Sequence, residues 1–183
     1  MEKIKFSEEE IANCEDFSQK VDTTLYARRN QSDNEKRKKD AKIGKMGEIA
    51  VFNFLKEKYP TLTSPDFNIY SAKEKSWDFD LKATNFNVHV KTQDYMQGLK
   101  YDESWIFQNE DKHIFKEYSD NDYVVFVTVN LQKKEAEIRG ICKLKLLHDN
   151  SLFALPKLLQ LQNNKRAVYL KDLENHQKDM WSL

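Results

Sequence analysis

Five polar side chains fall in one short stretch of the chain: Asp78, Asp80, His89, Lys91 and Gln93. Trp77, Phe79 and Leu81 alternate there with Asp78, Asp80 and Lys82, and Val88, Val90 and Thr92 alternate with His89, Lys91 and Gln93. A period of two on both sides of Thr84 to Phe86 predicts a β-hairpin with one apolar and one polar face. An even turn centred on Asn85 and Phe86 sets Lys82 opposite His89, Asp80 opposite Lys91 and Asp78 opposite Gln93. Opposed residues in an antiparallel pair share a face, with Cβ atoms roughly 4.5 to 5.5 Å apart. Aspartate is disfavoured in strands, and two of them on one face repel unless a cation joins them. Two carboxylates, an imidazole and an amide suit a hard divalent ion, Mg2+ or Mn2+, which takes oxygen ligands and waters rather than thiolates. A lysine beside such an ion can orient a water or neutralise charge on a scissile phosphate, while the ion polarises the phosphoryl oxygen.

The elements that must position this hairpin surround it. Ser7 with Glu10 forms a capping-box pattern, and the first 30 residues read as helix. Ser32 with Glu35 repeats the pattern and opens a longer helix expected to reach about Lys58, before Pro60. Its second half lines up Ile43, Met46, Gly47, Ala50 and Phe54, with Glu48 on the flank of that stripe. Gly44 and Gly47 each cost roughly 1 kcal/mol in a helix interior, which points to close packing against a neighbour. Tyr123 to Leu131 is a nearly continuous, β-branched apolar run and predicts a central strand buried on both faces. Alternation from Ala136 to Leu146 predicts another strand. Smaller signals are a short strand near Asn68 to Ser71, a short helix from Pro156 and an edge strand from Ala167 to Leu170. Helices before and beside about five strands make an α/β layered fold.

The whole chain has 183 residues, the size of one domain. Its expected parts are an N-terminal helical extension (1–40), a core (41–150) and short C-terminal elements (151–183). Lys plus Arg and Asp plus Glu number 30 each, so the net charge is zero, which excludes the strongly basic signature of many nucleic-acid binders. Local charge differs. Arg28, Arg29, Lys36, Arg37, Lys38, Lys39, Lys42 and Lys45 stand against Asp33, Glu35 and Asp40, a local +5 just ahead of Glu48. Such a helix could lie along a phosphate backbone, although a solvated helix face has the same composition. Trp77, Tyr95 and Trp105 could stack on bases or belong to the core. No apolar run approaches the roughly 20 residues that span a bilayer, and MEKIKFSEEE lacks the apolar region of a signal peptide. Two distant cysteines, Cys14 and Cys142, give no zinc or disulfide pattern and suit a cytoplasmic location.

With Asp78-Phe79-Asp80-Leu81 on one strand, His89-Val90-Lys91-Thr92-Gln93 on the next and Glu48 on the preceding helix, the chain resembles the PD-(D/E)XK nuclease superfamily. The resemblance covers residues 43 to 93 by motif. It implies a restriction-endonuclease-like mixed sheet flanked by helices and an Mg2+- or Mn2+-dependent endonuclease acting on DNA, in restriction, repair or phage and mobile-element processing. RNA is the weaker substrate option. A homodimer would fit cleavage of both strands. By the same resemblance, Asp80 is the principal metal ligand, Glu48 binds the metal or positions water, and Lys91 orients the water and stabilises charge in the transition state. Asp78 and Gln93 are auxiliary ligands. One position departs from the family: His89 stands where an acid belongs. A neutral imidazole can ligate a metal but adds no negative charge. The alternative is a catalytically inactive member that binds nucleic acid or a protein partner.

Overall fold

A computed structural model describes residues 2–21, 33–70, 79–176 and 178. In chain order the elements are β1 (Glu2–Lys5), α1 (Glu8–Lys20), α2 (Asn34–Leu55), β2 (Leu81–Lys82) and β3 (Asn87–Asp94). They continue with α3 (Tyr95–Tyr101), β4 (Ser104–Gln108), α4 (Lys112–Phe115), β5 (Asp122–Asn130) and β6 (Glu135–Lys143). Last come α5 (Leu144–Asp149), a 3-10 turn at Leu159–Leu161, β7 (Lys165–Tyr169) and α6 (Leu170–Glu174). Five strands form a mixed sheet in the order β1-β6-β5-β3-β2, and β4 pairs with β7 in a separate ribbon. Within the sheet β3 and β5 run parallel, and the other neighbours are antiparallel.

The sheet is covered on both sides. Ile43, Met46, Ile49, Ala50 and Leu55 of α2 pack on Val88, Val90, Val125, Val127, Val129 and Ile138. On the opposite face Val124 and Phe126 meet Trp105, Phe107, Leu144, Leu147 and Val168. Strand β5 thus sends alternate residues into two cores, as its continuous apolar run requires. Gly47 is what lets α2 come close: a Cβ there would lie 1.9 Å from Thr92 Oγ1 on β3. A Cβ at Gly44 would meet nothing within 4 Å, so close approach explains one glycine and not the other.

Several elements differ from the sequence expectation. The N-terminus is not all helix: Glu2–Lys5 is a strand paired with β6 and completes the sheet, so residues 1–40 are not a purely helical extension. Four residues, mostly charged and exposed, are typical of a protected edge strand and too short to show a period. Ser7 does cap α1, with both bonds of the capping box formed. The cap of α2 is Asp33, whose side chain accepts from the Lys36 N–H at 3.1 Å, and the helix ends at Leu55. After Lys143, the last residue of β6, the chain turns helical, because Leu144 and Leu147 bury at helical spacing where alternation suggested more strand. Residues 68–70 form no strand, and the segment after Pro156 makes only the 3-10 turn. No helix among the described residues is long and apolar enough to cross a membrane.

Candidate functional site

Glu48 lies on α2 beside Gly47 and is carried with it toward the edge of the sheet. Its side chain is only 13% exposed, and Lys45, one helical turn back, donates to Oε2 at 2.6 Å. Burial first, and the charge of Asp80 second, push the Glu48 carboxyl up to about 8 in spite of that lysine. Asp66, in the loop after α2, adds a further repulsion. Asp66 itself accepts from Tyr70 Oη at 2.5 Å and from the Asn68 N–H at 2.8 Å, and its carboxyl is held below the usual range, against its own burial. Three acids therefore share one region, with the charge of Lys45 acting on both Glu48 and Asp66. The Lys45 amine also lies 5.0 Å from the centre of the Phe17 ring and 5.7 Å from that of Phe67.

The hairpin register is displaced from the expected one. Lys82 pairs with Asn87 and Leu81 with Val88, so Lys82 does not face His89. Asp80 lies just before β2. Its N–H donates to the Val88 carbonyl at 3.1 Å, and its Oδ2 accepts from the Val90 N–H at 2.7 Å. It therefore straddles His89 rather than facing Lys91. The carboxylate takes up a backbone donor that two-residue β2 leaves unpaired on the edge of β3. Asp78 lies outside the described residues.

Alternation along β3 divides the other polar side chains from Glu48. Val88 and Val90 face α2, so His89, Lys91 and Gln93 point to the opposite side of the sheet. His89 is 5% exposed, packs 4.9 Å from the Phe79 ring, and its Nε2 has no hydrogen-bond partner among the described residues. Burial, with Lys91 adding to it, pulls its pKa down to about 4, so the ring is neutral. Lys91 places its amine 5.0 Å from the centre of the Phe107 ring. Gln93 commits its amide to the start of β4, accepting from the Ser104 N–H at 2.8 Å, which removes it from a ligand role. Asp80 alone sits at the boundary, its charge felt by both Glu48 and His89.

The basic run is mostly spoken for. Lys38 pairs with Glu35, Lys39 with Asp94, Lys42 with Glu15 and Lys45 with Glu48. Arg37 is buried, and Lys36 is exposed. Arg28 and Arg29 lie outside the described residues. The stripe of eight expected cations is thus not a uniform phosphate track. Trp105 is core, donating to the Val127 carbonyl at 2.9 Å, Tyr95 is exposed, and Trp77 lies outside the described residues.

No family model, curated protein or solved structure matches the chain.

The donor set itself tests the metal expectation. Among the described residues no group of three or more His, Cys, Asp or Glu forms a ready ligand cage. Mg2+ does not need one: it usually keeps several waters and binds through one or two carboxylates plus substrate phosphates. Glu48 and Asp80 are hard oxygen donors of that type, and the charge of Asp80 acts on Glu48. Asp80 engages the Val90 N–H through Oδ2. Asp66 and Lys45 are the site residues that sequence reasoning missed as partners. Asp66 sits in a loop without period, and Lys45 was one of many lysines; the spacing of Lys45 and Glu48 at i and i+3 was the available signal.

Proposed function

We propose that this chain is a metal-dependent phosphodiesterase of the restriction-endonuclease-like kind, acting on DNA. The observation that carries the reading is the Glu48–Asp80 pair: an enclosed acid on a helix and a second acid at a hairpin edge, whose charge raises the first one's cost of ionisation. Such a pair is expensive to keep without a cation or a proton-transfer role. The parallel β3–β5 pairing after the hairpin is compatible with the fold part of the proposal. A divalent ion would supply Lewis-acid polarisation of the phosphate and an activated water. Glu48 and Asp80 would hold it. Glu48, with a proton affinity near neutrality, can also exchange a proton with water as a general acid–base group does. His89 stays neutral beside Asp80, while Lys91, on the face of the sheet away from Glu48, stands outside this pair. The test is cleavage of plasmid, branched DNA and RNA with Mg2+ or Mn2+, comparing wild type with Asp80→Asn and Glu48→Gln. Metal-dependent cutting that both substitutions abolish supports the proposal. No cutting with either metal, or cutting that survives both, refutes it.

A second reading has its own observation. His89 replaces an acid and is enclosed against Phe79, while the Lys91 amine lies over Phe107. A nuclease-like fold that has lost its chemistry and binds nucleic acid or a protein would look this way. DNA retention without cleavage in the same assay favours it.

A further inference from the structure

The β4–β7 ribbon has one open edge. Ala167 of β7 exchanges both of its main-chain bonds with Ala154, at 2.8 Å each, so neither reaches Ile106, its neighbour in the register with β4. In an antiparallel pair such a position turns its N–H and C=O away from the partner strand. The bonds that flank the ribbon, Leu170 N–H to Glu103 C=O and Asn109 N–H to Asn164 C=O, fall on odd-numbered residues, so Ser104, Ile106 and Gln108 all present their main-chain groups to the outside. Two of these groups are taken within the chain: Ser104 N–H donates to Gln93 Oε1 at 2.8 Å, and Gln108 C=O accepts from the Asp111 N–H at 3.1 Å. Ser104 C=O, Ile106 N–H, Ile106 C=O and Gln108 N–H have no partner among the described residues. The edges of the main sheet are guarded by contrast. Strand β1 is four residues long and carries Glu2, Lys3 and Lys5. Lys82 of β2 is covered by Thr63, whose N–H donates to its C=O at 2.7 Å and whose Oγ1 accepts from its N–H at 2.9 Å. Shortness, charge and covering loops are the usual defences against strand addition. Strand β4 has five residues, no charge and, at its centre, an Ile106 that is 37% exposed.

We propose that β4 is a self-pairing edge, occupied by β4 of a second copy of this chain running antiparallel about a two-fold axis at Ile106. The open groups select this partner. The axis sets Ile106 opposite its own counterpart, which closes two bonds. It also sets Ser104 opposite the counterpart of Gln108, which closes one bond on each side of the axis, from Gln108 N–H to Ser104 C=O. The groups that this register would otherwise leave to be matched, Ser104 N–H and Gln108 C=O, are the two already bonded within each chain. Every open donor therefore meets an open acceptor, the self-complementarity that a two-fold contact requires. No charge in β4 meets a like charge, and the two exposed Ile106 side chains become cross-strand neighbours. Two ribbons thereby join into one continuous sheet. A five-residue edge is small beside the roughly 1,200 Å² of a standard stable interface, so the association is weak and follows concentration. It does not depend on the phosphodiesterase reading.

Sedimentation equilibrium of the full chain across a wide concentration range tests this, with wild type, Ile106→Lys, Ile106→Pro and Leu159→Lys. The wild type should show a monomer–dimer equilibrium. Ile106→Lys sets two ammonium groups against each other, and Ile106→Pro removes a donor that has no partner within the chain, so each should weaken dimerisation about tenfold or more. Leu159 is 78% exposed and lies outside the ribbon, so Leu159→Lys should dimerise as wild type does. A wild type that stays monomeric at every concentration overturns the proposal. A dimer that survives either Ile106 substitution, or that Leu159→Lys disrupts as strongly, overturns it too. Amide exchange on the wild type alone covers the case in which the Ile106 variants misfold. The Ile106 and Gln108 N–H groups should exchange with deuterium more slowly as concentration rises, and exchange indifferent to concentration refutes the pairing.

Discussion

Glu48→Gln in the absence of divalent metal should flatten the decline of stability with rising pH. The Glu48 carboxyl is raised from an ordinary 4.5 to about 8, so between those values the folded state holds a proton that the unfolded state releases. Stability from this group is fully present below about pH 4.5 and is lost as pH climbs toward 8. Each pH unit well inside that window costs about 1.4 kcal/mol and less near its two ends, so the interval from pH 5 to pH 8 amounts to ~3 kcal/mol. The side chain is only 13% exposed, so little of this is screened by water. Glutamine keeps the shape and cannot ionise. His89 acts with the opposite sign: its depressed pKa of about 4 means stability present above about pH 6.5 and lost on acidification. That contribution is common to both proteins and cancels in their difference. Urea unfolding followed by Trp fluorescence at pH 5, 6.5 and 8, with a chelator present, should show Glu48→Gln gaining on wild type by ~3 kcal/mol across the range. Parallel pH profiles, within about 0.5 kcal/mol, would mean that Glu48 ionises as freely folded as unfolded, and the electrostatic basis of the site would fall.

The two helix glycines should part company. Gly47→Ala drives a methyl into Thr92 and should destabilise by about 1–3 kcal/mol, whereas Gly44→Ala should be neutral or stabilising by up to about 1 kcal/mol; thermal unfolding of both variants decides it. His89→Phe should remove part of the acid-side loss, giving ~2 kcal/mol less decline between pH 6.5 and pH 5 than wild type; equal acid sensitivity by urea unfolding refutes this. Cys14 and Cys142 are enclosed, with thiols pushed up to about 12 by burial, so alkylation at pH 8 should proceed only after unfolding. Mass spectrometry showing rapid labelling of the native chain would contradict that enclosure.

The two-core strand β5, the Ser7–Glu10 cap and the existence of the hairpin were all legible in the residues, because each depends on local period or local chemistry. The hairpin register was not. Moving the partner of Lys82 from His89 to Asn87 shifts every pairing by two residues and leaves each side chain on the same face. Apolar patterning penalises a slip of one residue and is indifferent to a slip of two. Glu48 could be picked out because Gly47 flagged a helix pressed on a sheet. Asp66 could not, since its approach to Glu48 depends on how the loop after α2 folds back. Strand β1 escaped for a related reason: its partners at Glu135 to Ile138 are remote in the chain, and four residues hold no period of their own.

The bond from the Val90 amide to Asp80 makes one main-chain proton a reporter of one acid. That amide sits on a strand margin where β2 has already run out, and the carboxylate is its shield from solvent. Anything that draws the Asp80 oxygen away releases the proton to exchange with deuterium. Occupancy of the acid and the exchange clock of a single peptide group become one event, readable without a substrate and before any reaction is known.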